Sequence, residues 1–210
     1  MIIAIDGPAA SGKGTLAKRI ATRCGLAHLD TGLLYRAVAR ALLDASLPPA
    51  DEPAAVRAAK GLTLGSLDAE KLRGAETGEA ASRVAAMPAV RASILELQRA
   101  FARQPGGAVL DGRDIGTVVC PKADVKLFVT ASLEERAKRR WRELVLSGAP
   151  LDYDAVVADI RRRDERDSLR SASPLRQAPD AILIDTTSLD AEAALACALA
   201  VIRSKMSQPA

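Results

Sequence analysis

Met1-Ile-Ile-Ala-Ile-Asp6, followed at once by Gly7-Pro-Ala-Ala-Ser-Gly12-Lys13-Gly14-Thr15, decides how this chain folds. Ile2 to Ile5 is an unbroken apolar run. No polar residue alternates with it, which is the pattern of a strand buried on both faces. The glycine-rich stretch reads as a loop and Lys13–Cys24 as a helix. Strand, loop and helix in that order form the setting that a phosphate-binding loop requires. Backbone N–H groups turn inward, the helix presents its positive dipole end, and Lys13 adds a full charge. Gly7, Pro8, Ala9, Ala10, Ser11, Gly12, Lys13, Gly14 and Thr15 are therefore the expected cradle for nucleotide phosphates. Gly14 follows Lys13, so the first hydroxyl after the lysine belongs to Thr15.

Working outward, further apolar runs at Leu26–Leu29, Ala108–Asp111, Val125–Val129 and Ala181–Asp185 read as strands of the same kind. Between them lie helical patterns at Leu33–Ala45, Pro88–Arg103, Ser132–Leu146, Asp154–Arg170 and Leu189–Ile202. The alternation predicts an α/β doubly wound fold, a five-stranded parallel sheet flanked by helices. Ser132 with Glu135 has the spacing of a capping box, and Thr187 or Ser188 is a candidate cap for the last helix. From about residue 44 to 86, prolines and scattered glycines interrupt any strand pattern. That segment is expected to be an insertion of helices and loops over the sheet edge. A second loop, Ser147-Gly-Ala-Pro150, joins two charge-rich helices within a lid expected at about 141–158. Ligands of open α/β sheets bind at the carboxyl ends of the strands, where insertions act as lids. The whole of residues 1–210 then forms one domain, with the tail from Ser204 expected to fray.

Composition limits the partners. Thirty basic and 26 acidic residues leave a net charge of only +4. The densest charged stretch, Glu134 to Arg170, holds ten basic and nine acidic residues, a balance unlike a groove that releases counterions from a nucleic acid. Cys24, Cys120 and Cys197 are odd in number and widely separated, which predicts buried free thiols in a reducing cytoplasm and no disulfide or metal framework. The single histidine, His28, lies in the run Leu26-Ala-His-Leu29 and reads as structural. The first strand starts directly at Met1 and no apolar run reaches the ~20 residues of a membrane span, so neither a leader nor a membrane partner is expected.

Three further groups carry chemistry. Asp30 and Thr31 are placed to cap a helix whose first turn brings Tyr35 and Arg36 near the strand ends. Asp111-Gly-Arg113-Asp114 follows the third strand, and a carboxylate there is where Mg²⁺ or its waters need an acceptor. Arg136, Arg139 and Arg140, and again Arg163, Arg166 and Arg170 with Asp167, recur at three- and four-residue steps, which puts each set on one helix face. Arginine binds phosphate bidentately and holds its charge. Two such faces converging over the loop would stabilise a transferring phosphoryl group and exclude water.

These residues together resemble the bacterial cytidylate kinases over nearly the whole chain. The resemblance rests on Ile5-Asp6-Gly7-Pro8 with Ser11–Thr15, Leu29-Asp30-Thr31-Gly32 with Tyr35-Arg36, Val84-Ala85-Ala86 with Pro88 and Val90-Arg91, Asp111 through Val119, and Arg163-Asp164 with Arg166-Asp167 and Arg170. It implies a P-loop NTPase fold and transfer of the γ-phosphate of ATP to CMP or dCMP, with Mg²⁺; since nothing in the sequence marks an oligomer surface, a monomer is the default expectation. It further implies that Thr31, standing where the family usually has serine, lies near cytosine. Arg36, Arg91 and Arg113 would bind the CMP phosphate and base, and Arg163 would approach the transferred phosphate. Asp167 and Arg170 would contact sugar and base, with Asp114 in the same pocket. Arg136 and Arg140 would face ATP, and Thr15 or waters on Asp111 would serve the metal. Ala59–Gly74 is shorter than the family's three-stranded insert. A shikimate- or adenylate-type kinase and a slow P-loop switch are the competing readings. The first lacks its Asp-x-Asp after the second strand, the second would need a longer lid, and the third would need a switch segment.

Overall fold

The computed structural model describes residues 1–72, 74–146, 148 and 152–207, without the side chain of Ser66. Five strands, β1 (Ile2–Asp6), β2 (Ala27–Asp30), β3 (Ala108–Gly112), β4 (Val125–Thr130) and β5 (Ile182–Asp185), form one sheet in the order β2-β3-β1-β4-β5, with every pair parallel. Parallel neighbours need long crossovers, and the helices supply them. These are α1 (Lys13–Cys24), α2 (Gly32–Asp44), α3 (Glu52–Lys60), α4 (Ala75–Val84), α5 (Pro88–Ala102), α6 (Leu133–Leu146), α7 (Tyr153–Leu169) and α8 (Ala191–Met206).

The central strand shows why the run Ile2–Ile5 carries no polar residue. Ala4 packs into one core, against α2, α3, α4 and α5, while Ile3 and Ile5 pack into the other, against α1 and α8. Both faces of the sheet are covered, so alternation would bury polar side chains. A smaller apolar cluster, Ala137, Leu144, Val156 and Ile160, holds α6 to α7. The segment 44–86 holds α3, α4 and a short 3-10 turn at Leu64–Ser66, and no strand among its described residues.

Several sequence expectations shift. β2 runs one residue later than Leu26–Leu29. The last helix is capped by Asp190, whose carboxylate accepts from Ala193 N at 2.8 Å, because Thr187 Oγ1 is already bonded to Asp185. Ser132 Oγ accepts from Glu135 N at 3.2 Å, but the Glu135 carboxylate turns to Arg139, so only half of the capping box forms. Residues 115–119 adopt a wide π turn that no local pattern announced. All three thiols are free, yet only Cys120 is buried and Cys197 is exposed. Ser147, Ala149 and Pro150 of the expected lid loop, and Gln208–Ala210 of the expected frayed tail, lie outside the described residues. No helix among the described residues is long and apolar enough to cross a membrane.

Candidate functional site

The carboxyl ends of β1, β2 and β3 meet beside the start of α1. Between Asp6 and Lys13 the chain turns sharply. A Cβ on Gly7 would fall 2.0 Å from the Val129 carbonyl oxygen, so only glycine fits there. Ala10 (φ 59°) and Gly12 (φ 84°) both take left-handed conformations, which fold the loop back over the helix start. Lys13 Nζ reaches the Pro8 carbonyl at 3.2 Å. Burial, with Arg113 close by, lowers the Lys13 pKa to about 7.

Asp6 anchors the opposite wall. Its carboxylate accepts from Ile115 N at 2.7 Å and Gly116 N at 2.8 Å, which sets the π turn after Arg113 and Asp114. Burial nevertheless raises Asp6 to about 6. On β2, Asp30 Oδ1 accepts from Gly32 N at 2.9 Å and caps α2. Thr31 does not cap with its side chain. Its hydroxyl donates to the Asp111 carbonyl at 2.8 Å, and its backbone N–H reaches the same oxygen at 3.0 Å. A Cβ on Gly112 would lie 2.5 Å from that hydroxyl oxygen, so the glycine keeps the contact open.

A cavity of about 240 Å³ opens here. It brings together Ala9, Ala10, Lys13, Gly14, Thr31, Tyr35, Arg36, Arg91, Asp111, Arg113, Asp114, Arg140, Arg163, Asp167 and Arg170. Most of its cations are paired. Arg91 binds Asp114 and lies over the Tyr35 ring, 5.4 Å from its centroid. Arg113 holds Asp167 at 2.7 Å. Arg140 meets Glu143 at 2.9 Å. Arg170 lies 3.9 Å from Asp167 and 4.0 Å from Asp114. Burial opposes the charge on Asp167, but Arg113 outweighs it and holds this carboxyl below the usual range.

Lys13, Arg36 and Arg163 differ from these. Among the described residues none of the three has a carboxylate within 4.0 Å: Lys13 has only the Pro8 carbonyl and Arg36 the Leu72 carbonyl at 3.1 Å. Arg163 Nε is buried without any partner, and burial beside Arg113 and Arg36 pushes this guanidinium down to about 10. Isolated buried cations are costly. Three such cations in one cavity, Lys13 buried and Arg36 and Arg163 half-buried, can hold an anion that arrives from outside.

Of the other expected residues, Gly7, Pro8 and Ser11 sit in the loop outside this lining, Gly12 and Thr15 line a second cavity, and Arg136 lines neither. Arg136 is buried in α6 and each of its three guanidinium nitrogens donates a bond, to Ala131 O, to Ala9 O and, at 2.7 Å, to Asp164. It works as a strut under the loop. Thr15 is exposed and lines a second cavity of about 330 Å³ on the far side of Gly12, with Arg19, Arg139, Arg142, Thr186 and Asp190. Arg139 is set by Thr186, through Oγ1 at 2.9 Å and O at 2.6 Å. The helical repeat of arginines singled out Arg139, but nothing in the sequence linked it to Thr186, 47 residues away. His28 was also read too narrowly: its Nε2 lies 2.8 Å from Asp111 Oδ1.

The cytidylate kinase family matches residues 3–204 of the chain. The cytidylate kinase of Xanthobacter autotrophicus is 62% identical over 205 residues, covering 98% of each chain. That of Methylocella silvestris is 60% identical over 204 residues, covering 97% of this chain and 94% of its own. Among crystal structures, an uncharacterized protein from Eubacterium ventriosum aligns with a TM-score of 0.58 at 14% identity over 99% of both chains. TT1252 from Thermus thermophilus aligns with a TM-score of 0.50 at 23% identity over 99% and 98%. These two likenesses concern the fold alone.

Proposed function

The chain belongs to the cytidylate kinase family, and on that premise we propose how its residues divide the work of the reaction. The enzyme transfers the γ-phosphate of ATP to CMP or dCMP, giving ADP and CDP or dCDP. An oxygen of the CMP phosphate forms a bond to the γ-phosphorus, the bond to the β–γ bridging oxygen breaks, and ADP leaves. The observation that carries the assignment is the trio of Lys13, Arg36 and Arg163 in one cavity, none with a carboxylate within 4.0 Å among the described residues. Lys13, with the Gly7–Thr15 amides, holds the donor phosphates. Arg36 holds the acceptor phosphate, and Arg163 lies where charge develops on the transferred group.

Thr31 supports cytosine over uracil. Its one hydroxyl hydrogen is committed to the Asp111 carbonyl, so the oxygen facing the cavity can only accept. The cytosine amino group donates, whereas uracil carries a carbonyl at that position. Asp114, held by Arg91, adds a second acceptor, and Asp167 and Arg170 form the sugar side. The second cavity suits the adenosine of ATP, with Arg139 as a fixed cationic plane for the base. The insertion at 44–86 and the lid at 141–158 close over the two nucleotides.

No group of three or more His, Cys, Asp or Glu among the described residues is arranged to hold a metal alone. That fits Mg²⁺, which keeps its waters and arrives on nucleotide phosphates with one or two carboxylates. Asp111 and Asp30 are adjacent, and burial together with Asp111 raises the Asp30 pKa, a repulsion that a divalent cation would relieve. Asp111 is the proposed protein contact; Thr15, expected to share that role, opens to the second cavity instead. The ion would neutralise charge between the β- and γ-phosphates. The free thiols support a reducing, cytoplasmic setting, and the charge balance of α6–α7 is unlike that of a nucleic-acid groove.

A coupled ADP-release assay over CMP, dCMP, UMP, AMP and shikimate tests the function. CMP and dCMP should be preferred by orders of magnitude. Should CMP accept phosphate no faster than water, the assignment falls.

A further inference from the structure

His28 was expected to be structural, and its imidazole lies 2.8 Å from a carboxylate of the site. We propose that His28 is a positioning residue that fixes which oxygen of Asp111 faces the phosphate-binding loop. This rests on the assignment of Asp111 to the metal.

β2 and β3 pair with His28 beside Val109 and Asp30 beside Asp111. His28 and Asp30, two residues apart, lie on the same face of β2, and the imidazole spans the diagonal to Asp111. Asp111 is buried, and each of its oxygens but one has a partner. Its carbonyl accepts from Thr31 N and Thr31 Oγ1. Oδ1 is 2.8 Å from His28 Nε2. A carboxylate can only accept, so the bond uses the tautomer with its proton on Nε2. Oδ2 is left, and it lies 3.6 Å from where a Cβ on Gly14 would be. The free oxygen therefore faces the turn between Lys13 and Thr15.

Without the imidazole donor the carboxylate can rotate about its terminal torsion, which is soft, and repulsion from Asp30 would favour other settings. Outer partners of this kind fix ligand orientation, and their loss commonly lowers metal affinity or activity 10- to 100-fold.

The test compares three variants with the intact enzyme. His28→Phe fills the space without a donor. His28→Gln places an amide N–H near the position of Nε2, and His28→Asn carries the same amide too short to reach. Mn²⁺ binding in the presence of ADP is read by electron paramagnetic resonance, which needs no turnover. CMP binding without metal is read by calorimetry. His28→Phe and His28→Asn should weaken Mn²⁺·ADP binding about 10-fold or more and raise the free Mg²⁺ at half-maximal rate by the same factor. CMP affinity should be unchanged and His28→Gln should restore the metal response. If His28→Phe binds Mn²⁺·ADP like the parent, or His28→Gln is as poor as His28→Asn, the proposal is overturned. Should His28→Phe not fold, the Gln and Asn pair decides alone. Asp111→Asn separates the two layers: if it leaves Mn²⁺·ADP binding unchanged, the metal assignment itself is wrong. If it weakens binding while the His28 variants do not, only the role of His28 is lost.

Discussion

Donor binding should take up a proton, and the amount should follow the pH dependence of Lys13. Burial lowers this lysine to about 7, so in the free enzyme about one-tenth of it is neutral at pH 6 and about nine-tenths at pH 8. Contact with a triphosphate restores the ammonium. ADP or ATP binding at pH 8 should therefore absorb about 0.9 proton, against about 0.1 at pH 6. The second ionisation of a phosphate lies near pH 6, so at pH 8 the ligand itself is fully ionised and supplies none of the change. Calorimetry in buffers of different ionisation enthalpy measures the uptake directly. Affinity should fall about tenfold, or 1.4 kcal/mol, per pH unit above 7. The stability of the free enzyme moves the other way. Between pH 7 and 10.5 the unfolded chain binds more protons at this site than the folded one, so stability rises with pH through that window. The rise in Tm on adding ADP should shrink over the same range. Lys13→Met should abolish both the uptake and the pH dependence. An uptake at pH 8 equal to that at pH 6, or one that survives in Lys13→Met, refutes the reasoning.

Gly7→Ala would place a methyl 2.0 Å from the Val129 carbonyl and should lower stability by about 3 kcal/mol, roughly 6–12 °C in Tm. A variant that melts with the parent would show that the close approach is not real. Thr31→Val keeps the shape and removes the acceptor, so kcat/KM for CMP should fall by about 10- to 100-fold with UMP little changed. An unaltered CMP-to-UMP ratio removes Thr31 from base recognition. Arg113→Ala should raise the KM for CMP strongly with ATP binding nearly intact. It also strands buried Asp167, and breaking such a pair costs about 3–5 kcal/mol. The double variant Arg113→Met with Asp167→Leu should recover Tm without recovering CMP affinity, and a recovery of both would remove Arg113 and Asp167 from the acceptor site.

What was legible in the sequence is what local pattern decides. Ile2–Asp6 and Ala108–Gly112 announce themselves because both sheet faces are buried, and the loop after Asp6 because glycine spacing is part of its geometry. The π turn at 115–119 was not legible, since its cause is Asp6, 109 residues earlier in the chain. The same holds for hydroxyls. Asp30 and Thr31 both read as caps, but the Thr31 hydroxyl is drawn to Asp111 of the neighbouring strand, leaving the cap to Asp30. His28 looked structural because only strand pairing shows that it reaches Asp111. Segment 44–86 read as an insertion, but α3 and α4 within it were not placed, because alanine-rich stretches broken by glycine and proline show little contrast between faces.

The arginine repeat on α7 shows most clearly where a face pattern stops being informative. Spacing put Arg163, Arg166, Asp167 and Arg170 on one side of the helix, and nothing in spacing tells a solvated charge run from a working one. Contacts do. Arg166 holds Glu79 at 2.9 Å and Ser82 at 2.6 Å on α4. Asp167 holds Arg113, and Arg170 reaches Asp114, both in the loop after β3. Arg163 alone points into the cavity without a carboxylate. One helix face thus ties the insertion to the loop after β3 through residues already paired, and leaves Arg163 without a carboxylate partner among the described residues. An anion at Arg163 would therefore act on a helix that also holds α4 and the loop after β3.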